Sequence, residues 1–175
     1  SLAGGPSLQF TTPSPFAGDP PPEHTVLVFM NQVADNSLSN VHWFGRSSVA
    51  NEPNSKLQLT NSSGTNYLQF QDETRGTYLA SASLGEVTTN NWHQIGYTFS
   101  GSIMNDITLH LDDSSESITG ITNNFAVTSQ YWECGAEGGV GFYSGSFGAV
   151  MIYDRKLTDA EIKFNYEVLS SSFSG

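Results

Sequence analysis

Short runs of hydrophobic or alternating residues recur along the chain, and each run is bounded by Asn, Ser, Gly, Asp or Pro. Hydrophobic and polar residues alternate at Leu57 and Leu59, and again at Ile107, Leu109 and Leu111, which predicts strands with one buried face. The eleven runs span residues 7–11, 25–31, 41–46, 56–60, 67–71, 77–82, 93–99, 107–112, 131–135, 139–143 and 147–153. This pattern predicts an all-β fold, a two-sheet antiparallel jelly-roll sandwich.

The run at residues 26–30 is apolar throughout, unlike the alternating runs. A strand of this composition is typical of a central position in which both faces are covered. The preceding residues 13–22 contain five prolines. Since proline cannot donate to a sheet ladder, we expect an irregular loop there, ahead of the central strand.

One helix is predicted near the C-terminus. Thr158 and Glu161 have the spacing of a capping box, in which each side chain bonds the backbone N–H of the other residue. Ile162, Tyr166 and Leu169 follow at helical spacing, so the helix is expected to end near Leu169 and to cover the sandwich as a lid. The predicted organisation is one domain over residues 1–169, followed by a Ser-rich flexible tail or linker at residues 170–175.

The charge balance limits the possible partners. Seventeen acidic residues against six basic ones give a formal net charge of −11, although charged residues make up only 13% of the chain. Nucleic acids and anionic membranes bind clustered Lys and Arg, and no basic run occurs. No apolar run approaches the ~20 residues of a membrane-spanning helix, so we expect no nucleic-acid partner and no membrane insertion.

Three segments of the second half carry a family pattern. They are Trp92-His93-Gln94-Ile95, a strand at residues 109–113 that ends in an acidic turn, and residues 147–162, which run from a strand into the capped helix. Together they resemble a laminin-G-like domain of the concanavalin A-like lectin/glucanase superfamily, and the likeness extends over residues 7–169. The acidic turn is Asp112-Asp113 where the family usually has Asp-Gly, which predicts a longer hairpin or another turn type.

The resemblance implies a jelly roll and, commonly, extracellular recognition of glycans or proteins. The superfamily also contains enzymes that cleave glycans and modules that are purely structural. Because one fold hosts many functions, the site residues have to decide between these alternatives.

The sequence does not favour catalysis. A glycoside hydrolase needs two carboxylates across the sugar, but Glu133 and Glu137 in one straight strand would lie roughly 13 Å apart unless Gly135 forms a bulge. A lyase base is not indicated, because His93 and Gln94 are neighbours in a strand and point to opposite faces. The Glu-x-Asp-x-x-Glu pattern of β-glucanases and the Gly-x-Ser-x-Gly elbow are both absent. We therefore expect no enzyme, and a glycan-degrading enzyme is the third hypothesis.

Calcium is the cofactor that the resemblance implies. Ca²⁺ prefers carboxylate and carbonyl oxygens on loops, and Asp72 falls where calcium-binding members of the family have a ligand, with Glu73 beside it. Thr128 is the nearest equivalent of a second family ligand, and threonine is a poorer ligand than the usual Asn. The alternative is that residues 72–76 form a solvated hairpin turn.

Sugar binding needs an aromatic ring that covers one face of the pyranose and polar groups for its hydroxyls. The candidate ligand-binding residues are Trp132, Tyr131, Tyr143, Asn123, Asn124 and Glu133. Trp92 is expected to pack in the fold rather than to bind ligand.

These observations favour a non-enzymatic carbohydrate-binding or adhesion module that recognises a glycan or glycoprotein through loops at the rim, with calcium as a possible cofactor. The alternative is a structural or attachment component of a virion, phage fibre or bacterial adhesin, which assembles with neighbouring domains or as a homo-oligomer without binding sugar. Either hypothesis predicts an extracellular location or one at a cell or virion surface.

Overall fold

The described part of the chain is mostly β-strand. The computed structural model describes residues 8–11, 23–33, 55–62, 64–72, 77–80, 82–101, 106–119, 131–134 and 145–173. Its strands are β1 (Leu8–Thr11), β2 (Glu23–Gln32), β3 (Ser55–Ser62), β4 (Thr65–Asp72), β5 (Thr77–Ala80), β6 (Trp92–Ser100), β7 (Ile107–Leu111), β8 (Ser114–Ser117), β9 (Tyr131–Cys134) and β10 (Gly145–Tyr153). A 3₁₀ turn spans Ala82–Leu84, and the helix α1 spans Asp159–Phe173.

The strands form antiparallel sheets, as the sequence predicts. The largest sheet has the order β10-β2-β6-β7-β8, a second has the order β3-β4-β5, and β1 pairs with β9. The all-β sandwich with one C-terminal helix is therefore confirmed. The predicted strands at residues 41–46 and 139–143 lie outside the described residues.

The main core lies between the five-stranded sheet and the β3–β4 hairpin. Alternate residues of each strand point into it because successive side chains of a strand face opposite sides. The buried members from the larger sheet are Val26, Val28, Met30, Ile95, Tyr97, Phe99, Ile107, Leu109 and Leu111, and those from the hairpin are Leu57, Leu59, Leu68 and Phe70. Full burial of each such side chain contributes ~1.5–3 kcal/mol, so this face is the main source of stability.

Helix α1 covers the opposite face of the same sheet. Leu27 of β2 is buried there against Leu157 and Ile162, so β2 is covered on both faces, as its apolar run predicts. Gly96 of β6 leaves no space for a side chain, because a Cβ there would lie 2.2 Å from the carbonyl oxygen of Val26 and 2.7 Å from Leu27 Cδ2. The glycine lets the two central strands and the Leu27 side chain pack closely beneath the helix.

The start of α1 is held by the predicted capping box. The Thr158 N–H donates to Glu161 Oε2 at 2.9 Å, and the Glu161 N–H donates to Thr158 Oγ1 at 3.3 Å. Arg155 donates to both carboxylate oxygens of Glu161, and this hydrogen bonding, reinforced by Thr158, lowers the pKa of Glu161 to about 2. Thr25 of β2 bonds the Arg155 carbonyl and the Leu157 N–H, each at 2.9 Å, which ties the helix entry to the central strand.

The helix is longer than the sequence pattern predicts. It continues through Ser170 to Phe173, so the prediction that residues from 170 onward form a flexible tail is wrong for residues 170–173. The serine hydroxyls donate to carbonyls one turn back, and the Phe173 ring packs 5.3 Å from Phe29 and 4.5 Å from Trp92, centroid to centroid. This tertiary contact outweighs the weak helix propensity of serine.

Of the two expectations for the acidic turn, the longer hairpin is wrong. Asp112 and Asp113 form a two-residue connection between β7 and β8, in which Asp112 has a φ of 56°, so the hairpin is not lengthened. Strand β8 has no apolar residue and lies at the end of the described sheet order, which is why hydrophobic periodicity did not reveal it. In the part of the chain that the structure describes, no helix has the length and hydrophobicity of a membrane span.

Gly148 is the extra residue of a β-bulge in β10, because Phe147 pairs with Met30 and Ala149 with the adjacent Phe29. A Cβ at Gly148 would lie 2.9 Å from Phe173 Cζ and 3.1 Å from both Phe29 Cδ1 and Trp92 Cζ3. The bulge therefore places a residue without a side chain against the three aromatic rings.

Stability should fall in mildly acidic solution through His110. Burial lowers its pKa from 6.5 to about 4. Between these two pH values the unfolded chain binds more protons than the folded chain. The free energy of unfolding is therefore unaffected by His110 above pH ~6.5 and decreases as the pH falls toward 4. We expect the free energy of unfolding, measured with urea, to drop by about 2 kcal/mol through this residue between about pH 7 and about pH 5.

The matched variant is His110→Gln, which cannot titrate but can bond Thr98 Oγ1, the group that lies 3.1 Å from His110 Nε2. Its unfolding free energy should change less with pH than that of the parent protein. The other histidines are common to both proteins, so equal pH dependence in the two would contradict the prediction.

Candidate functional site

A groove of about 560 Å³ opens where β2 ends and β6 begins, beside the C-terminal half of α1. Asn31 and Trp92 are cross-strand partners at this end of the sheet. The described residues that line the groove are Asn31, Thr88, Asn90, Asn91, Trp92, His93, Tyr166, Ser170 and Phe173. Aromatic rings, side-chain amides and hydroxyls make up almost all of this lining.

The aromatic part of the groove is rigidly packed. The Phe29 and Trp92 rings are stacked, with centroids 5.2 Å apart and planes 3° apart, and Phe173 closes the cluster from α1. Aromatic pairs at such distances contribute ~0.5–1.5 kcal/mol beyond their buried area. Trp92 therefore packs in the fold, as predicted, but it also lines the groove, which the sequence did not indicate.

A chain of hydrogen bonds fixes the loop before β6. The Asp112 carboxylate lies 2.8 Å from His93 Nδ1 through one oxygen and accepts the Gln94 N–H at 2.9 Å through the other. His93 Nε2 accepts the Thr88 N–H at 3.2 Å and lies 2.9 Å from Thr88 Oγ1. Because Nε2 accepts from the backbone, the ring proton in this arrangement is on Nδ1, toward Asp112.

The amide side of the groove is held by the same loop. Asn91 Nδ2 donates to Thr88 Oγ1 at 2.9 Å and to the Thr89 carbonyl at 3.3 Å. Asn90 has a φ of 61°, a left-handed conformation that Asn tolerates better than most residues, and its N–H donates to the Gln32 carbonyl at 2.6 Å. The two asparagines are thus presented on a backbone that is anchored to both β2 and β6.

The order of Thr88, His93 and Asp112 is also that of a hydroxyl, imidazole and carboxylate in hydrolytic triads. Here, however, His93 Nε2 also accepts the Thr88 backbone N–H, and the Thr88 hydroxyl accepts from Asn91. Both atoms that a hydrolase would use are engaged in holding the loop. The arrangement is that of a structural clamp, which holds the loop before β6 through His93.

The predicted ligand-binding residues fall in two groups. Tyr131, Trp132 and Glu133 lie in β9, where Trp132 pairs with Phe10 and Glu133 with Gln9. Asn123, Asn124 and Tyr143 lie outside the described residues. Only the backbone of β9 is described, so this candidate site remains a prediction.

Of the predicted calcium ligands, the structure describes only the backbone of Asp72. Asp72 ends β4, where its backbone pairs with Ser55 of β3 and Thr77 of β5. Glu73 and Thr128 lie outside the described residues. Among the residues whose positions are described, no group of three His, Cys, Asp or Glu side chains is placed to hold a metal ion. The calcium site therefore rests on the sequence.

The groove residues could have been found from sequence only in part. Asn90, Asn91 and Trp92 are consecutive, and an Asn-Asn pair before a strand is a turn signal. Tyr166 and Phe173 reach the groove only because α1 runs past the end of the sheet. That geometry has no local signature.

The family comparison agrees with the fold. A laminin G-type family model described as the concanavalin A-like lectin/glucanases superfamily matches residues 4–163. No curated protein matches the sequence significantly.

Several solved structures are similar in fold. A native heptameric SAP-like pentraxin from Limulus polyphemus has a TM-score of 0.59 at 18% identity, covering 93% of this chain and 76% of the pentraxin chain. A CBM40 module of the Ruminococcus gnavus IT-sialidase, bound to α2,3-sialyllactose, has a TM-score of 0.56 at 13% identity, covering 82% of each chain.

Domain 4 of an extracellular GH43 arabinanase from Geobacillus stearothermophilus, in complex with arabinotriose, has a TM-score of 0.51 at 13% identity, covering 84% of this chain and 66% of that one. At such identities these similarities establish the fold alone.

Phe173 should stabilise the domain although it lies in the last turn of α1. We expect Phe173→Ala to lower the free energy of unfolding by about 2 kcal/mol, because the ring packs on both Phe29 and Trp92. Phe164→Ala on the same helix is the matched control. Its side chain is 63% exposed, so its effect should stay within about 0.5 kcal/mol. Equal urea midpoints for the two variants would show that the aromatic cluster adds no stability.

Proposed function

Because this chain belongs to the concanavalin A-like lectin/glucanases superfamily, we propose that it is a non-enzymatic module that binds carbohydrate. The observation that carries the proposal is the groove beside β6, in which aromatic rings and asparagine amides line one cleft. Sugar hydroxyls need donors and acceptors in fixed positions, and the apolar face of a pyranose packs against aromatic rings. The groove offers both on an anchored backbone.

Charge and hydrogen bonding support binding rather than catalysis. The described lining contains no Asp or Glu, so none of these residues supplies the pair of carboxylates that glycoside hydrolysis requires. His93 and Thr88 are held in the clamp with Asp112. The similar CBM40 module, which has bound sialyllactose, supports a recognition role, and the similar domain of an arabinanase makes a degrading enzyme the competing class.

The proposal also includes the rim loops and calcium. We propose that Asp72, Glu73 and Thr128 hold one Ca²⁺ and that Tyr131, Trp132, Tyr143, Asn123, Asn124 and Glu133 form a second contact region for a glycan or glycoprotein. A module of this kind acts outside the cell or at a cell or virion surface.

A second candidate function is an attachment or assembly role without sugar binding. Phe164 and Val168 lie one turn apart on α1 and are 63% and 46% exposed. Apolar side chains at i and i+4 on a helix form a continuous surface patch. Under this alternative the protein would be a stable oligomer that Phe164→Asp dissociates in sedimentation experiments, and it would bind no glycan.

The groove can be tested on a glycan array followed by calorimetry with the best ligand. We expect Asn31→Ala and Asn91→Ala each to weaken binding about three- to tenfold, the value of one or two hydrogen bonds. Ser117→Ala is the matched control, because Ser117 is exposed on β8 at the other end of the sheet. Trp132→Ala tests the contact region on β9.

Two results would contradict the assignment of this groove. Binding that Trp132→Ala abolishes while both asparagine variants keep full affinity would move the site to β9. Release of reducing ends from the bound glycan by the protein would instead identify an enzyme.

Calcium can be tested without knowledge of the glycan. A ligand at about 100 times its dissociation constant stabilises the folded state by roughly 2.7 kcal/mol. We therefore expect added CaCl₂ to raise the melting temperature by several degrees, EDTA to reverse the effect, and Asp72→Asn to be insensitive to both. An unchanged melting temperature of the parent protein in millimolar calcium would remove calcium from the proposal.

A further inference from the structure

The groove has no fixed positive charge among its described lining residues. His93 is the basic side chain there, and its Nε2 accepts the Thr88 N–H, which leaves the ring proton on Nδ1 facing Asp112. The amides of Asn31, Asn90 and Asn91 are polar but neutral. Among these described residues an anionic ligand would therefore find hydrogen-bond donors but no counter-charge.

Two carboxylates lie beside this lining, at Asp112 and Asp113. The Asp112 carboxylate lies 2.8 Å from His93 Nδ1, and its neighbour Asp113 has a side chain that is 51% exposed. Tyr166 lines the groove from α1, and its pKa is raised first by burial and then by Asp112 and Asp113. Asp113 also contacts Lys163, which lies one helical turn before Tyr166 on α1, so both carboxylates lie close to the wall of the groove.

The nearest cation on the facing helix does not offset them. Lys163 lies 3.5 Å from Asp113 and 3.9 Å from Glu167, so one ammonium group is shared by two carboxylates. Asp112, Asp113 and Glu167 together outnumber it. The formal charge of the whole chain, −11, adds to this field.

We propose that the groove selects uncharged saccharides and rejects saccharides that carry carboxylate or sulfate groups, with Asp113 as a residue that determines this specificity. The inference rests on the proposed function, because it names the class of ligand for the same site. An acidic sugar would have to shed water from its charged group beside like charges, and no described lining residue offers it a cation to pair with. Each carboxylate at roughly 10 Å should weaken an anionic ligand about two- to fourfold at low salt.

The experiment compares matched pairs of glycans that differ only in one acidic group, such as a galactose-containing oligosaccharide and its galacturonate counterpart, or a neutral oligosaccharide and its monosulfated form. Binding of each pair is measured on an array and then by calorimetry, at about 0.05 M and about 1 M NaCl. We expect the neutral member to bind at least tenfold more tightly at low salt. High salt should reduce this difference in affinity, because it screens the repulsion between the carboxylates and the acidic glycan.

Asp113→Asn should raise the affinity for the acidic member relative to the neutral one by about two- to fourfold. Asp154→Asn is the matched control, because it removes one exposed carboxylate near the start of α1, and the groove lies near the end of this 15-residue helix. The control should leave the ratio unchanged.

The possible outcomes distinguish a failure of the neutral-sugar specificity from a failure of carbohydrate binding itself. If the acidic member binds as well as the neutral member or better, the neutral specificity is wrong and carbohydrate binding stands. If Asp113→Asn and Asp154→Asn give the same ratio, Asp113 does not determine specificity. If no glycan of either kind binds, the proposed function fails and this inference fails with it.

Discussion

The coverage of both faces of the β2–β6 pair is the constraint on which the rest of the structure depends. One face packs on the β3–β4 hairpin, and the other is covered by α1 through Leu27, Leu157 and Ile162. Close packing beneath the helix needs the missing side chain of Gly96, and Thr25 fixes where the helix begins. Once its start is fixed, α1 has to run past the end of the sheet, and the groove forms there.

The sequence predicts the parts of this arrangement that have a local signature. The apolar run of β2 and the capping box at Thr158 each follow from residues that are close together in the chain, and both are found in the structure. Strand β8 was missed because an exposed strand of Ser and Glu gains its stability from pairing with β7. The end of α1 was misplaced because Phe173 is held by residues that lie far away in sequence.

The candidate site shows the same division. Trp92 was correctly assigned to packing, yet a ring that is stacked on one neighbour can still line a cleft. The link between Asp112 and the asparagines of the loop runs through His93 and Thr88, over 24 residues of sequence. Spacing alone cannot indicate such a connection, because it depends on the register between β6 and β7. The sequence-based candidates for sugar binding were instead aromatic, amide and carboxylate residues, chosen because these side chains can contact a sugar.

The two-residue turn at Asp112 has two structural roles, one for its backbone and one for its side chain. Its backbone closes the β7–β8 hairpin, while its carboxylate bonds both His93 and the Gln94 N–H. Any insertion in this hairpin would shift the carboxylate away from its partners and release the asparagine loop. Loop grafting intended to change ligand preference should therefore spare this turn together with Thr88 and Asn91, whose side chains hold the loop, and alter the two residues between them.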